Sequence, residues 1–181
     1  VFEESKAEAL LENVLAAQLG VPADYLHSVQ NQQIWLNWEA IYDMDLDPND
    51  VADVLIDFLR AQPGVYDALT KEEMMMMPSE YPFAPHIRRG LHPKRSGDIL
   101  INLEPGWHAD DALFSTGGAA HGSPYSYDTH VPLLWYGARI PRGVSYAPVD
   151  ITDIAPTLAA MLRIVEPSGA TGKVIEPLFR P

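Results

Sequence analysis

The run Val131-Pro132-Leu133-Leu134-Trp135-Tyr136 carries no charged residue and no alternation of apolar with polar side chains. A strand with one face in water alternates the two kinds, whereas a continuous apolar run is that of a strand buried on both faces. Such a strand needs a layer on each side, and the flanking sequence offers the parts. A long glycine-rich loop, Glu104 to Thr129, leads into it. Beyond it, Asp150-Ile151-Thr152-Asp153-Ile154-Ala155-Pro156 opens a helix expected to run through Leu162. Buried strand, turn and helix point to the edge of an α/β sandwich.

The 181 residues, 47% of them hydrophobic, are enough for one substantial domain or two small ones. Acidic residues outnumber basic ones by 25 to 12, for a formal charge of −13. That balance excludes a nucleic-acid scaffold, since the chain would repel a phosphate backbone. A phosphate enzyme is still open to it, because bound metal ions can bring the positive charge. With no cysteine, any transition-metal site must be built from His, Asp and Glu. No apolar run approaches the roughly 18 residues of a membrane span. The opening Val1-Phe2-Glu3-Glu4, with neither Met nor leader, reads as that of a fragment.

Residues 1–95 are expected to form a small α+β unit, and residues 96–181 a second unit. In the first, Ala7, Leu10, Leu11, Val14 and Leu15 make a helical stripe within Glu4–Leu19, stopped by Gly20 and Pro22. Gln33–Asn37 and Val65–Leu69 are predicted strands. Between them Asp47 as N-cap and Pro48 at the first position start a helix with Val51, Val54, Leu55, Phe58 and Leu59 on its apolar face. Met74–Met77 could suggest a soft-metal site, but a helix end filling an irregular gap is the better reading. The prolines that follow, with Gly90-Leu91-His92-Pro93, mark the passage to the second unit, whose first strand is expected over Asp98–Leu103.

The chemistry concentrates in Gly117 to His130, which delivers His121, Asp128 and His130 just ahead of the apolar run. Functional groups of α/β proteins gather on such loops at strand ends, and a neutral imidazole there can ligate zinc. The same residues could equally hydrogen-bond within the loop and cap the next strand. A Ser-His-Asp triad of Ser123, His130 and Asp128 is formally available. It lacks the Gly-x-Ser-x-Gly elbow, however, and its members lie very close in sequence. His27, His86 and His92 read as surface or packing residues, and His108 as a residue on the substrate side.

The stretch His121-Gly-Ser-Pro-Tyr-Ser-Tyr-Asp-Thr-His-Val-Pro-Leu-Leu-Trp-Tyr-Gly137 closely resembles the C-terminal motif of bacterial alkaline phosphatases of the PafA type, relatives of the nucleotide pyrophosphatase/phosphodiesterases. Ser96-Gly97-Asp98-Ile99-Leu100-Ile101, Glu104-Pro105-Gly106-Trp107, Val149–Leu158 and Pro167–Gly172 are similar to further segments of that family, in the same order. The resemblance implies the C-terminal part of an alkaline-phosphatase-like α/β/α sandwich, with residues 1–95 as an insertion or cap-like unit before it. It implies a zinc-dependent phosphomonoesterase or phosphodiesterase that uses two Zn2+ ions, with His121 as the first choice of metal ligand and His130 as the second. The substrate would be a small-molecule phosphate mono- or diester, and the parent periplasmic or extracellular. The family's Asp and Thr or Ser nucleophile, its Asp-x-x-x-His pair and its Asp-His-Gly are not in these residues, so the isolated chain is expected to be inactive. A non-catalytic binding or structural domain derived from the same fold is the alternative.

Overall fold

The computed structural model describes residues 2–110 and 121–179. Strand β1 (Phe2–Glu3) runs directly into helix α1 (Glu4–Leu19), which ends where Gly20 takes a left-handed φ of 78°. Ala7, Leu11 and Leu15, four residues apart, are its buried strip. Leu10 of the expected stripe is half exposed, because the helix meets the core along a line narrower than its apolar face.

Strands β2 (Leu26–Gln30) and β3 (Gln33–Leu36) form an antiparallel hairpin, with Gln30 opposite Gln33. The two turn residues, Asn31 and Gln32, both sit at positive φ, 51° and 58°. That pair of left-handed residues gives the tight turn whose twist suits a hairpin. Helix α2 (Trp38–Asp43) follows, capped by the Asn37 side chain accepting from the Ala40 N–H. Helix α3 (Pro48–Arg60) starts as its sequence predicts, with the Asp47 carboxylate accepting from the Asn49 N–H and Pro48 in the first turn. Val51, Ala52, Leu55, Ile56 and Leu59 are its buried side, while Val54 and Phe58 pack at the margin.

Strand β4 (Val65–Thr70) leads into α4 (Lys71–Met76), where Thr70 and Glu73 cap each other reciprocally. The methionine run closes this helix, with Met74 buried in the last turns and Met76 exposed. Helix α5 (Ala84–Gly90) precedes β5 (Ile99–Leu103). The sheet order is β2-β3-β5-β4, every pairing antiparallel, and α1 and α3 lie against each other and on its strands. A short strand β6 (Ala109–Asp110) pairs with β1 in parallel.

Strand β5 therefore has neighbours on both edges, β3 and β4, within the sheet formed by the first part of the chain. The chain forms two compact units, Val1–Val131 and Pro132–Pro181, a division that differs from the compositional one at residues 95 and 96. The prolines before β5 mark a change of direction. They carry no information on which strands the next one will pair with.

Ser96-Gly97-Asp98 binds this sheet together. Asp98 Oδ2 accepts from the Leu36 N–H at 2.9 Å and from Trp38 Nε1 at 3.2 Å, and Oδ1 lies 3.3 Å from Lys71 Nζ. Gly97 donates its N–H to Gln33 Oε1 at 2.8 Å, and a Cβ on Gly97 would lie 2.8 Å from the Ile34 carbonyl oxygen. The chain passes so close to β3 there that only glycine fits without a shift.

After helix α6 (Ser126–Thr129), the second unit holds a 3-10 turn at Ile151–Asp153, helix α7 (Ile154–Leu162) and a final 3-10 turn at Glu176–Phe179. Asp153 accepts from the backbone N–H groups of Asp150 and Lys173, at 3.0 and 2.7 Å. These bonds hold its carboxyl below the usual aspartate range, the Lys173 N–H first. Fully buried Thr157 donates to the Asp153 carbonyl and accepts from the Ile175 N–H. Gly172 packs against the Thr152 carbonyl, leaving no space for a side chain. The helix expected through Leu162 is present, but Val131–Tyr136 is not a strand. Leu134 is 88% and Tyr136 103% exposed. The run has the composition of a buried strand, but among the described residues it has no partner strand to hydrogen-bond, and every side chain of it except half-buried Trp135 is exposed.

Candidate functional site

Residues 121–130 are fastened to the end of β5 and the turn after it. Tyr125 Oη donates to the Leu103 carbonyl at 2.8 Å, and Tyr127 Oη accepts from the Gly106 N–H at 3.1 Å. The Tyr125 and Tyr127 rings stack with centroids 5.7 Å apart, and Phe83 meets Tyr125 edge-on at 4.8 Å. Aromatic contacts of this kind add to the area they bury. A loop rich in small residues thus acquires a definite shape from three rings and two hydrogen bonds. Gly117 to Ala120, the glycine-rich approach to His121, lie outside the described residues.

Inside this frame Ser123 folds back on Asp128. Its N–H and its hydroxyl both donate to Asp128 Oδ2, at 2.9 and 2.6 Å. The hydroxyl bond first, then the N–H, then the charge of His121 hold the Asp128 carboxyl below the ordinary aspartate range. His121, Ser123, Tyr127 and Asp128 face Gln32, Gly106, Trp107 and His108 around a cavity of about 210 Å³. Trp107 lies flat on Gly64, whose φ is 86° and where a Cβ would overlap the indole.

Of the two histidines expected as ligands, His121 is exposed and lines this cavity. His130 is the C-cap residue of α6, its N–H donating to the Ser126 carbonyl at 2.9 Å, and its side chain is not part of the lining. His108 lines the cavity, on the opposite segment. His27, His86 and His92 lie at the surface, with His92 Nδ1 accepting from the Lys94 N–H. The triad disfavoured on sequence grounds is not assembled here: the Ser123 hydroxyl donates to Asp128 itself, with no imidazole between them. Gln32, from the hairpin turn nearly ninety residues earlier, carries no local signal of a role here. Trp107 is signalled only by its place in the Glu104–Trp107 segment.

A catalytic zinc takes three protein ligands. Among the described residues no three His, Asp or Glu side chains converge in that way. His121 and Asp128 offer at most part of a donor set, so these residues do not by themselves fit a complete zinc site.

No family model matches the chain. It is 35% identical over 148 residues to alkaline phosphatase PafA of Elizabethkingia meningoseptica, a match over 82% of this chain and 27% of that protein. Alkaline phosphatase PhoV of Synechococcus elongatus is 30% identical over 175 residues, 97% of this chain and 31% of the relative. The crystal structure of wild-type alkaline phosphatase PafA superposes with a TM-score of 0.85 at 30% identity, over 99% of this chain and 34% of that one. The chain thus spans about a third of the length of the proteins it matches, and its helices and antiparallel sheet reproduce part of their α/β fold. Identity sustained through nearly all of these residues, with the same backbone arrangement, places the chain in the alkaline phosphatase superfamily.

Proposed function

We propose that this chain is the C-terminal part of a metal-dependent phosphate-ester hydrolase, a phosphomonoesterase or phosphodiesterase whose nucleophile lies outside these 181 residues. The observation that carries the reading is the position of His121 on a cavity formed by a loop that is tied to β5, in a chain 35% identical to an alkaline phosphatase over 148 residues. On this reading His121 is one metal ligand and His130 the second choice. The remaining ligands come from the rest of the parent, as the incomplete donor set requires. Two Zn2+ ions would supply the positive charge that a phosphoryl group needs and that a chain of net charge −13 does not offer.

The chain's own residues present and hold that ligand. Ser123 fixes Asp128 and favours its ionised form, which sets a negative charge beside His121. Tyr125 and Tyr127 anchor the loop at the end of β5 and at Gly106. Residues 1–95 are read as an insertion or cap-like unit before the parent's core. The parent is read as periplasmic or extracellular, acting on small-molecule phosphate esters. No helix among the described residues is long and apolar enough to cross a membrane.

The test is His121→Ala in the intact parent, with bound zinc and phosphate release both measured. Sharply weaker zinc binding together with lost turnover is expected. An unchanged rate would move the ligand to His130 or favour a non-catalytic domain of the same fold. The isolated 181-residue chain should show no turnover, and robust zinc-dependent hydrolysis by it would overturn the reading.

A further inference from the structure

Phe83 stands where its backbone asks for glycine. Tyr81-Pro82-Phe83-Ala84 closes a tight turn, with the Ala84 N–H donating to the Tyr81 carbonyl at 3.1 Å. Proline at the second position and a third residue at φ 68°, ψ −1° are the marks of a type II turn. That third position takes Gly or Asn, because a Cβ is disfavoured at positive φ, and a bulky side chain most of all. A Phe persists there only where the contacts around it hold it, and such positions gather at functional sites. Glycine would form the same turn with less strain, so the turn alone does not account for the ring.

The contacts of the ring lead to the His121 loop. Phe83 meets Tyr66 of β4 edge-on at 6.3 Å and Tyr125 edge-on at 4.8 Å. Tyr125 is the N-cap of α6 and stacks on Tyr127. Asp128, in the same helical turn, accepts both bonds from Ser123, two residues after His121. The start of the Tyr81–Ala84 turn is pinned as well. Tyr81 Oη donates to Asp67 Oδ2, and Asp67 Oδ1 accepts from Arg60 Nε at 2.8 Å. Burial, and then the Asp67 carboxylate, push the Tyr81 pKa up, so the phenol keeps its proton for that bond. A continuous path of contacts thus runs from the end of α3 and from β4 through Phe83 to the residues that hold the His121 loop.

We propose that the Tyr81–Ala84 turn is a brace for that loop, with Phe83 a positioning residue that keeps His121 where a metal ion must meet it. The brace belongs to residues 1–95, so the unit ahead of the parent's core takes part in the metal site through packing. The proposal rests on His121 being a ligand.

The experiment compares Phe83→Gly, Phe83→Tyr and Tyr81→Phe in the intact parent by amide exchange of the zinc-free protein, zinc binding and phosphate release. Phe83→Gly removes the ring yet suits the φ of 68°, so the sheet stays folded and the Ile101 amide keeps its exchange rate. The Ser123 and Gly106 amides, bonded to Asp128 and to Tyr127 Oη, should exchange about tenfold faster or more. Zinc binding should weaken about tenfold or more, and the lost turnover should return at excess zinc. Tyr81→Phe, which keeps its ring but frees the turn from Asp67, should do the same more weakly. Phe83→Tyr keeps the ring in place and should match wild type. Unchanged Ser123 and Gly106 exchange in Phe83→Gly overturns the brace, whatever His121 binds. Faster exchange with unchanged zinc affinity, where His121→Ala does weaken it, overturns the positioning role. Equal losses in Phe83→Gly and Phe83→Tyr do so too, since the ring is then not the cause. If His121→Ala itself leaves zinc binding unchanged, it is the ligand reading that fails, and the exchange rates alone still decide whether the turn braces the loop.

Discussion

Removing one carboxylate should loosen the whole four-stranded sheet. Asp98→Ala deletes the acceptor for the buried Leu36 N–H and for Trp38 Nε1, and it strands Lys71, whose side chain is 13% exposed. An unsatisfied buried N–H costs about 1–3 kcal/mol, whereas the half-exposed indole N–H can turn to water. Breaking a fully buried ion pair costs about 3–5 kcal/mol, which must be discounted here for residual exposure and a 3.3 Å separation. The sum comes to about 3 kcal/mol. Lys71→Met leaves the two N–H donors on Asp98 and should cost only about 1 kcal/mol. The double variant should lose less than the two single losses combined, because the stranded ammonium is gone. Urea unfolding followed by exchange of the Ile101 amide, bonded to the Gln32 carbonyl at 2.8 Å, reports on this sheet alone. A loss below about 1 kcal/mol in Asp98→Ala, or strict additivity in the double variant, would refute the reasoning.

Gly64→Ala should cost at least about 1–3 kcal/mol and displace the Trp107 indole, since φ is 86° and the Cβ position is already filled. Trp107 fluorescence during thermal melting would show it, and an unshifted melt would count against it. Ser123→Ala should raise the Asp128 pKa toward the ordinary value near 3.8. A lowered folded pKa means that the stability Asp128 contributes is present above pH 3.8 and is lost as pH falls through its folded value. Carboxyl NMR titration of both proteins checks the shift. Glu12 runs the other way. Burial raises its pKa above 4.5, against the Leu26 and Tyr25 N–H groups that it accepts. The stability it contributes is therefore full below pH 4.5 and declines as pH rises through the folded value. The stability difference between wild type and Glu12→Gln should accordingly move toward the variant between acid and neutral pH, and a constant difference would rule this out.

Local order was legible wherever neighbouring residues decide it. Asp47-Pro48 starts α3, Gly20 ends α1, and Leu11, Leu15, Leu55 and Leu59 mark the buried sides, because caps and helical periodicity are short-range effects. The family was legible from His121–Gly137 and the segments around it. What the sequence could not decide is pairing. β5 follows a proline-rich passage and nevertheless pairs between β3 and β4, and Gln32 reaches the cavity from a hairpin turn far away in the chain. Strand partners and cavity walls are set by contacts between distant residues, which no local pattern encodes. Val131–Tyr136 shows the same limit from the other side. Its apolar residues have the pattern of a strand buried on both faces, but burial takes neighbouring layers, and among the described residues every side chain of the run except Trp135 is left exposed and no strand pairs with it.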